Sequence, residues 1–280
     1  WKSNSTMLGL NNNVVLSWTN NQNITFNITY ELDENYMFSI KQEIFNESNQ
    51  IINVFPYRLI KRINTPDTIN FFILHEGLIS LLNDELLEKD YDDLMDDCSS
   101  ANTSKNLYCD SKSQGGWLGF TDKYWMSILI PDPIESINVN YRHGNNGRDN
   151  YRTGYVGKIF NINPAQSISY NGLLFAGAKN LNILNNYKKT LTIPRFNDAI
   201  DWGWFSFLTK PISHAINWFY GYVGNFGLAI IAFTILMRLI LFPLAHTSFK
   251  SMAKMKKLQP EMQRLKETYP DDRQKMQQEL

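Results

Sequence analysis

The stretch FGLAIIAFTILMRLILFPL, Phe226 to Leu244, decides how the rest of the chain is read. Its nineteen residues carry one charge, Arg238. At about 1.5 Å per residue they span roughly 28 Å, close to the ~30 Å hydrocarbon core of a bilayer. A buried core helix seldom stays this apolar for this long, so the stretch reads as a transmembrane helix. Pro243 fits where such a helix bends or leaves the bilayer.

Orientation follows from the flanks. Residues 245–280 carry 8 basic and 5 acidic side chains, whereas residues 1–225 carry 18 and 22. The positive-inside bias therefore puts the C-terminal side in the cytoplasm. The 280 residues hold 27 basic and 27 acidic groups in all, so a zero net charge conceals two compartments. It also argues against direct nucleic-acid recognition, which needs clustered excess Lys and Arg. With 43% hydrophobic residues the chain is not intrinsically disordered. It opens on Trp1 without a charged-then-apolar leader and closes on Gln277–Leu280 inside a helix-like pattern. A piece of a longer protein is expected.

Immediately before the span lies DWGWFSFLTKPISHAINWFYGY, Asp201 to Tyr222. Trp202, Trp204, Trp218 and Tyr220 head its aromatic residues, and such rings favour the headgroup level of a membrane. A helix beginning near Pro211 sets Ile212, Ala215, Ile216 and Phe219 on one apolar face. An interfacial helix on the outer leaflet is the preferred reading, and an aromatic core edge the alternative.

Residues 1 to about 194 read as all-β. Runs rich in β-branched and aromatic residues recur at Val14–Trp18, Ile24–Tyr30, Tyr36–Ile40, Ile51–Ile60, Ile69–Leu74, Trp125–Ile130, Ile137–Tyr141 and Tyr155–Phe160. Ile24, Phe26 and Ile28 alternate with Thr25, Asn27 and Thr29, the period of a half-buried strand. No repeat of fixed period stands out, so a propeller or solenoid is not indicated and a large antiparallel sandwich is favoured.

Cys98 and Cys109, the two cysteines, lie in an acidic, polar stretch and in an exported domain could form a disulfide. Two free thiols is the alternative. The acids between Asp84 and Asp97 lack the EF-hand pattern and read as a solvated surface. The four histidines are isolated from one another and from the cysteines, so no metal site is expected. Gly154–Lys158 lacks the spacing of a phosphate loop, and no nucleophile elbow occurs. No cofactor and no enzymatic activity are indicated.

Beyond the span, Phe249, Met252, Met255, Leu258, Met262 and Leu265 recur at steps of three and four, as one helical stripe opposite Lys and Gln. Pro260 predicts a kink or restart near Gln259, and Pro270-Asp271-Asp272 a fresh helix start. These pieces suggest the first arm of a helical hairpin, its methionines either packing on a second arm or offering an adaptable binding face. Arg238 either snorkels to cytoplasmic phosphates or faces a wet cavity lined by protein. Thr234, one turn earlier, shares its face.

Three consecutive pieces now resemble one family. DWGWFSFLTKPI, VGNFGLAIIAFTILMRLILFPL and SMAKMKKLQPEMQRLKETYPDDRQKMQQEL are similar to the YidC family of bacterial membrane-protein insertases, and the segment Gly115–Trp125 matches more loosely. The resemblance implies a mainly β periplasmic domain, an antiparallel β-supersandwich of mutarotase type without that activity, followed by an α-helical membrane region and a cytoplasmic hairpin arm. Its boundaries are expected at 1–194 for the β domain, 195–222 for a linker and amphipathic interfacial helix, 223–244 for the transmembrane helix and 245–280 for the arm. It further implies a hydrophilic groove in which Arg238, with Thr234, receives the polar part of an incoming substrate. Expected partners are nascent membrane proteins, the Sec translocon, the lipid bilayer, and ribosomes or targeting factors on the cytoplasmic side. Met252, Met255, Lys256 and Lys257 are the expected recruitment surface. The competing reading is a single-pass receptor or carbohydrate-binding module with a cytoplasmic coiled coil; the Pro260 break and the lack of sustained heptads oppose it.

Overall fold

The computed structural model describes residues 1–68, 74–99, 107–203 and 205–268, with the side chains of 107, 257 and 261–268 left aside. Two compact units emerge, Trp1–Trp204 and Phe205–Leu280.

The first unit is mainly β. Its chain runs through β1 (Lys2–Ser3), β2 (Val14–Thr19), β3 (Ile24–Leu32), β4 (Met37–Asn46), β5 (Ile52–Val54), β6 (Tyr57–Ile63), β7 (Gly77–Leu82) and β8 (Glu85–Asp90) to a short helix, α1 (Tyr91–Asp97). There follow β9 (Asp110–Gln114), β10 (Trp117–Thr121), β11 (Trp125–Ile130), β12 (Ser136–Asn145), β13 (Asp149–Val156), β14 (Phe160–Ile162), β15 (Gln166–Ala178) and α2 (Leu181–Thr190). A nine-stranded antiparallel sheet has the order β1-β2-β3-β4-β15-β11-β10-β7-β8, and a four-stranded one the order β6-β13-β12-β9. The ribbon β14-β5 completes the set.

Alternation along the strands splits the core in two, because successive side chains leave opposite faces of a sheet. Ile79, Trp117, Ile128 and Phe175 pack with Leu184 and Tyr187 of α2 and with Phe196. Their strand neighbours Leu78, Leu118 and Leu129 pack with Val139, Tyr141, Tyr151 and Tyr155 of the four-stranded sheet and with Tyr91 and Leu94 of α1. Strands buried on both faces lose the alternating signature, which is why β7 and β10 were not anticipated as separate strands. Trp117 is fixed at the centre: its indole N–H donates to the carbonyl of Pro194 at 2.9 Å, and its ring meets Phe196 edge-on at 5.9 Å.

Several expected runs differ in detail. Ile51–Ile60 is not one strand but two, β5 and β6, separated at Phe55-Pro56, because proline cannot donate to a ladder. Tyr155–Phe160 likewise divides between β13 and β14, which pair with different strands. Of Ile69–Leu74, residues 69–73 lie outside the described residues and Leu74 is not in a strand. Nor is the unit all-β. α1 forms within the acidic stretch because Tyr91 and Leu94, three apart, bury on one face. α2 is capped by Asn180, whose side chain accepts from the N–H groups of Asn182 and Ile183.

The cysteines are joined in a disulfide with Cα atoms 5.7 Å apart. Both are fully buried rather than placed in a polar loop, Cys98 as the residue that caps the C-terminal end of α1. They belong to the same core cluster as Leu94 and Tyr141, with Tyr108 packed against it, while Asp96 and Asp110 are exposed and the half-buried Asp97 accepts a hydrogen bond from the hydroxyl of Tyr108.

The second unit is a pair of helices. α3 (Ser206–Val223) begins five residues before Pro211, which occupies its sixth position. There the ring removes the N–H that would otherwise donate to the carbonyl of Phe207, so α3 forms at the cost of one bond in its second turn. Gly224 ends α3 in the left-handed region at φ 67°, its N–H donating to the carbonyl of Tyr220 at 2.8 Å. Asn225 then caps α4 (Phe226–Thr268), its side chain accepting from the N–H of Leu228 at 3.2 Å. α4 has 43 residues, about 64 Å of helix. It continues through both Pro243 and Pro260, so of the kink or restart expected near Gln259 the restart does not occur. The fresh start expected at Pro270-Asp271-Asp272 lies outside the described residues.

Candidate functional site

The two faces of α4 are chemically different. α3 and α4 pack against each other. On α4 the fully buried Ala229 and the half-buried Ala232, Phe233 and Met237 fall at helical spacing on one side. On α3 the half-buried residues include Ile212, Ala215, Ile216 and Phe219, the apolar face read from the sequence. That face is thus largely occupied by a neighbouring helix, with Trp218, Tyr220 and Tyr222 left exposed.

Arg238 projects the other way. At about 100° per residue it lies roughly 180° around α4 from Ala229, and Thr234 about 140°. Both are exposed. Thr234 donates its hydroxyl to the carbonyl of Ile230 in its own helix at 2.8 Å, leaving the hydroxyl oxygen free to accept. Between Asp201 and Glu261 the chain holds no Asp or Glu at all, so the nearest carboxylate along α4 lies 23 residues beyond Arg238, about 35 Å of helix away. An exposed guanidinium with five donors, ringed by Ile231, Ile235, Leu241 and Phe242, can bind an acidic or strongly polar group and little else. Sequence spacing alone brought Arg238 and Thr234 together; that their side is turned from α3 emerges only from packing.

The other anticipated residues scatter. Trp202 is half-buried and donates its indole N–H to the carbonyl of Asn197 at 3.1 Å, so it closes off the first unit. Trp204 lies outside the described residues. Trp218 meets Phe219 and Tyr222 edge-on at 5.0 and 4.7 Å. Met252, Met255 and Lys256 are exposed on α4, and the side chain of Lys257 is outside the described set. The apolar residues of this region do not form the one stripe expected. Each step of three residues turns back by about 60°, so Phe249, Met252, Met255 and Leu258 wind half-way around the helix. Met252 and Lys256 stay within roughly 40° of the direction of Arg238, and Met255 does not.

A second constellation was not anticipated. A cavity of about 430 Å³ in the first unit is lined by His75, Glu76, Glu88, Asp90, Asp92 and Asp201, with Tyr91 beneath. His75 Nδ1 lies 3.1 Å from Asp90, and its backbone N–H donates to Asp201 at 2.9 Å. Burial raises the Glu88 carboxyl above its usual range, and Asp201 and Asp90 add to this while His75 opposes it. Burial lowers the nearby Lys179 ammonium against the pull of Asp201, Asp122 and Glu76. Among the described residues no group of His, Cys, Asp and Glu has the arrangement of a metal site. No sequence signal links positions so far apart.

Comparison with known proteins adds a family. The model described as the YidC periplasmic domain matches residues 1–215, and that described as 60Kd inner membrane protein matches residues 218–280. The membrane protein insertase YidC of Ruegeria sp. (strain TM1040) is 42% identical over 268 residues, covering 95% of this chain and 44% of the relative. That of Rickettsia felis is 39% identical over 281 residues, covering 100% and 49%. That of Paracoccus denitrificans (strain Pd 1222) is 41% identical over 275 residues, covering 98% and 43%. The chain therefore spans somewhat less than half the length of these curated relatives.

Proposed function

The chain belongs to the YidC family, and on that premise we propose that the protein it is part of inserts membrane proteins into the bacterial inner membrane, with the Arg238 face of α4 as the substrate-contacting surface. One observation carries the assignment of the face. Arg238 sits in an apolar span, exposed, turned away from α3 and 23 residues from the nearest carboxylate on its helix.

A cation in that position is costly unless it meets water or a partner, by about 2.5–3.5 kcal/mol on insertion scales. Further helices of the full-length protein would enclose it in a groove open to the cytoplasm. A nascent segment entering there places its acidic or polar residues against Arg238, with the free lone pair of Thr234 as a second, weaker contact. Its apolar residues move on into lipid, where leaving water supplies the driving force without nucleotide hydrolysis.

In this scheme residues 1–194 lie in the periplasm, 195–222 lead through the amphipathic α3, 223–244 cross the bilayer and 245–280 enter the cytoplasm. Trp202, Trp204, Trp218 and Tyr220 are assigned to the outer interface. Met252, Met255, Lys256 and Lys257 are assigned to recruitment of ribosomes or targeting factors, and the Sec translocon is the assigned membrane partner. Arg238→Ala in the full-length protein, followed by protease protection of a single-span substrate, tests the central step. Insertion is expected to fail with Arg238→Ala and to recover in part with Arg238→Lys. Full insertion by the alanine variant overturns the role of the face.

A further inference from the structure

The four-stranded sheet ends on β6, and no other described strand pairs with the outer edge of β6. Tyr57, Leu59 and Ile63 on this seven-residue strand are 61%, 46% and 56% exposed. Sheet proteins ordinarily shorten, charge or cover such an edge, because its free N–H and C=O groups accept another strand. Here a groove of about 350 Å³ lies beside it, between Ile60, Lys61 and Arg62 on one wall and Met126, Ser127 and Gly177 on the other, with Asp122 in the lining and neutralised by Arg62 at 2.8 Å, so that Lys61 is the unpaired charge of the groove. Three consecutive residues of β6 line the groove, so the strand offers it a backbone edge rather than one face. Trp125 forms part of the lining and is 58% exposed.

The same flank is cationic. Register sets Lys61 opposite Arg152, and Arg152 opposite Arg142. Three cations thus stand abreast across β6, β13 and β12, where like charges directly opposite one another are unfavourable. Arg142 is neutralised by Asp110 at 2.5 Å. Lys61 and Arg152 are exposed and form no ion pair among the described residues. This row lies in a part of the chain that is otherwise acid-rich, with 22 acidic against 18 basic residues over 1–225.

We propose that this flank is the docking site for an extended, acidic segment of a partner polypeptide, which adds to β6 as the next strand. Backbone pairing to β6 supplies the affinity, and alternate side chains supply the selection. On the outward side of the added strand an acidic residue meets Lys61, with Arg152 one strand further in and the exposed Leu59 and Ile63 flanking it, and apolar residues on the other side enter the groove against Trp125. Charge complementarity chooses this occupant. A second copy of β6 would bring one cationic row beside another, and a lipid headgroup would answer the charges but leave the strand edge unpaired. The site is independent of Arg238, so either assignment can fail without the other.

The test uses the intact membrane protein in lipid nanodiscs and a fluorescently labelled synthetic peptide alternating Val and Glu. Saturable binding is expected, weakened roughly tenfold by Lys61→Glu with Arg152→Glu and weakened by salt. Arg148→Glu, in the exposed β12–β13 turn, is expected to leave it unchanged. The thermal unfolding of each variant is followed alongside, and an N-methylated Val/Glu peptide, which keeps the charges and loses strand donors, provides a readout on the native chain. Equal binding of a Val/Lys peptide or of the N-methylated peptide overturns the proposal. So does displacement of the peptide by phosphatidylglycerol vesicles, or self-association of the protein through this edge.

Discussion

Trp117 in β10 and Leu239 in α4 are both large and apolar, yet the first is fully buried and the second is 67% exposed. The contrast holds for the units around them. Strands β7 and β10 at the heart of the first unit bury both of their faces, whereas Ala229 is the one fully buried residue among those described in the second. A β unit in the aqueous periplasm must hide its apolar surface inside itself. A helix crossing the inner membrane satisfies its backbone internally and leaves its side chains to lipid. One chain therefore obeys two solvents, and the same substitution has different consequences in each.

The largest expected difference is at these two positions. Trp117→Ala removes a buried ring and its hydrogen bond to Pro194, and is expected to destabilise the β unit by about 3–5 kcal/mol. Leu239→Ala removes surface that faces outward and is expected to change helix packing little. Chemical unfolding of the full chain in nanodiscs, followed by circular dichroism, compares them; similar losses would erase the contrast. Next in size is the Cys98–Cys109 link, which closes a loop of eleven residues' separation within the buried core. Its removal by paired Ser substitution is expected to cost about 2–4 kcal/mol in the β unit. No comparable covalent tie exists in the second unit, which has no cysteine. The third prediction sharpens the description of α4. Ala229→Leu overpacks the one buried point and is expected to cost about 1–3 kcal/mol of α3–α4 association, while Ala245→Leu on the exposed side is neutral. Cross-linking efficiency between engineered cysteines on the two helices reads the effect.

How much of this was legible in the sequence differs between the units for physical reasons. α4 announced itself because nineteen apolar residues with one charge admit few environments, and the lone charge singled out Arg238. Trp125–Ile130 was delimited to the residue, and β3 followed from its alternation. β10 and α1 were not anticipated, since burial on both faces hides the strand period and a seven-residue helix shows barely two turns of pattern. The continuation of α4 past Pro260 contradicted local propensity, which is a weak prior when a long helix already exists. The cationic row across β6, β13 and β12 was invisible because register, not sequence proximity, assembles it. The same is true of the acidic cavity, where Glu76, Glu88 and Asp201 come from three separate segments.

That cavity gives the smallest effect and the most informative sign. Glu88 has its carboxyl raised in the folded state, chiefly by partial desolvation, against which His75 is the largest opposing influence, while Asp201 and Asp90 raise it further and Lys179 lowers it. A raised folded-state value means that the unfolded chain holds the charge more readily. The contribution of Glu88 to stability is therefore greatest below its unfolded value, near 4.5, and is lost as pH rises through the higher folded value. At neutral pH the charged carboxylate opposes folding, and Glu88→Gln removes that opposition. Because Glu88 is exposed on β8, screening limits the gain to about 0.5 kcal/mol at most. The variant is expected to be slightly more stable than the parent at pH 7, with the advantage shrinking as the pH approaches 4. Thermal unfolding of both proteins across that range decides it. A variant less stable at pH 7 would mean that His75 outweighs the neighbouring acids, and that the cavity holds its negative charge by pairing rather than against it.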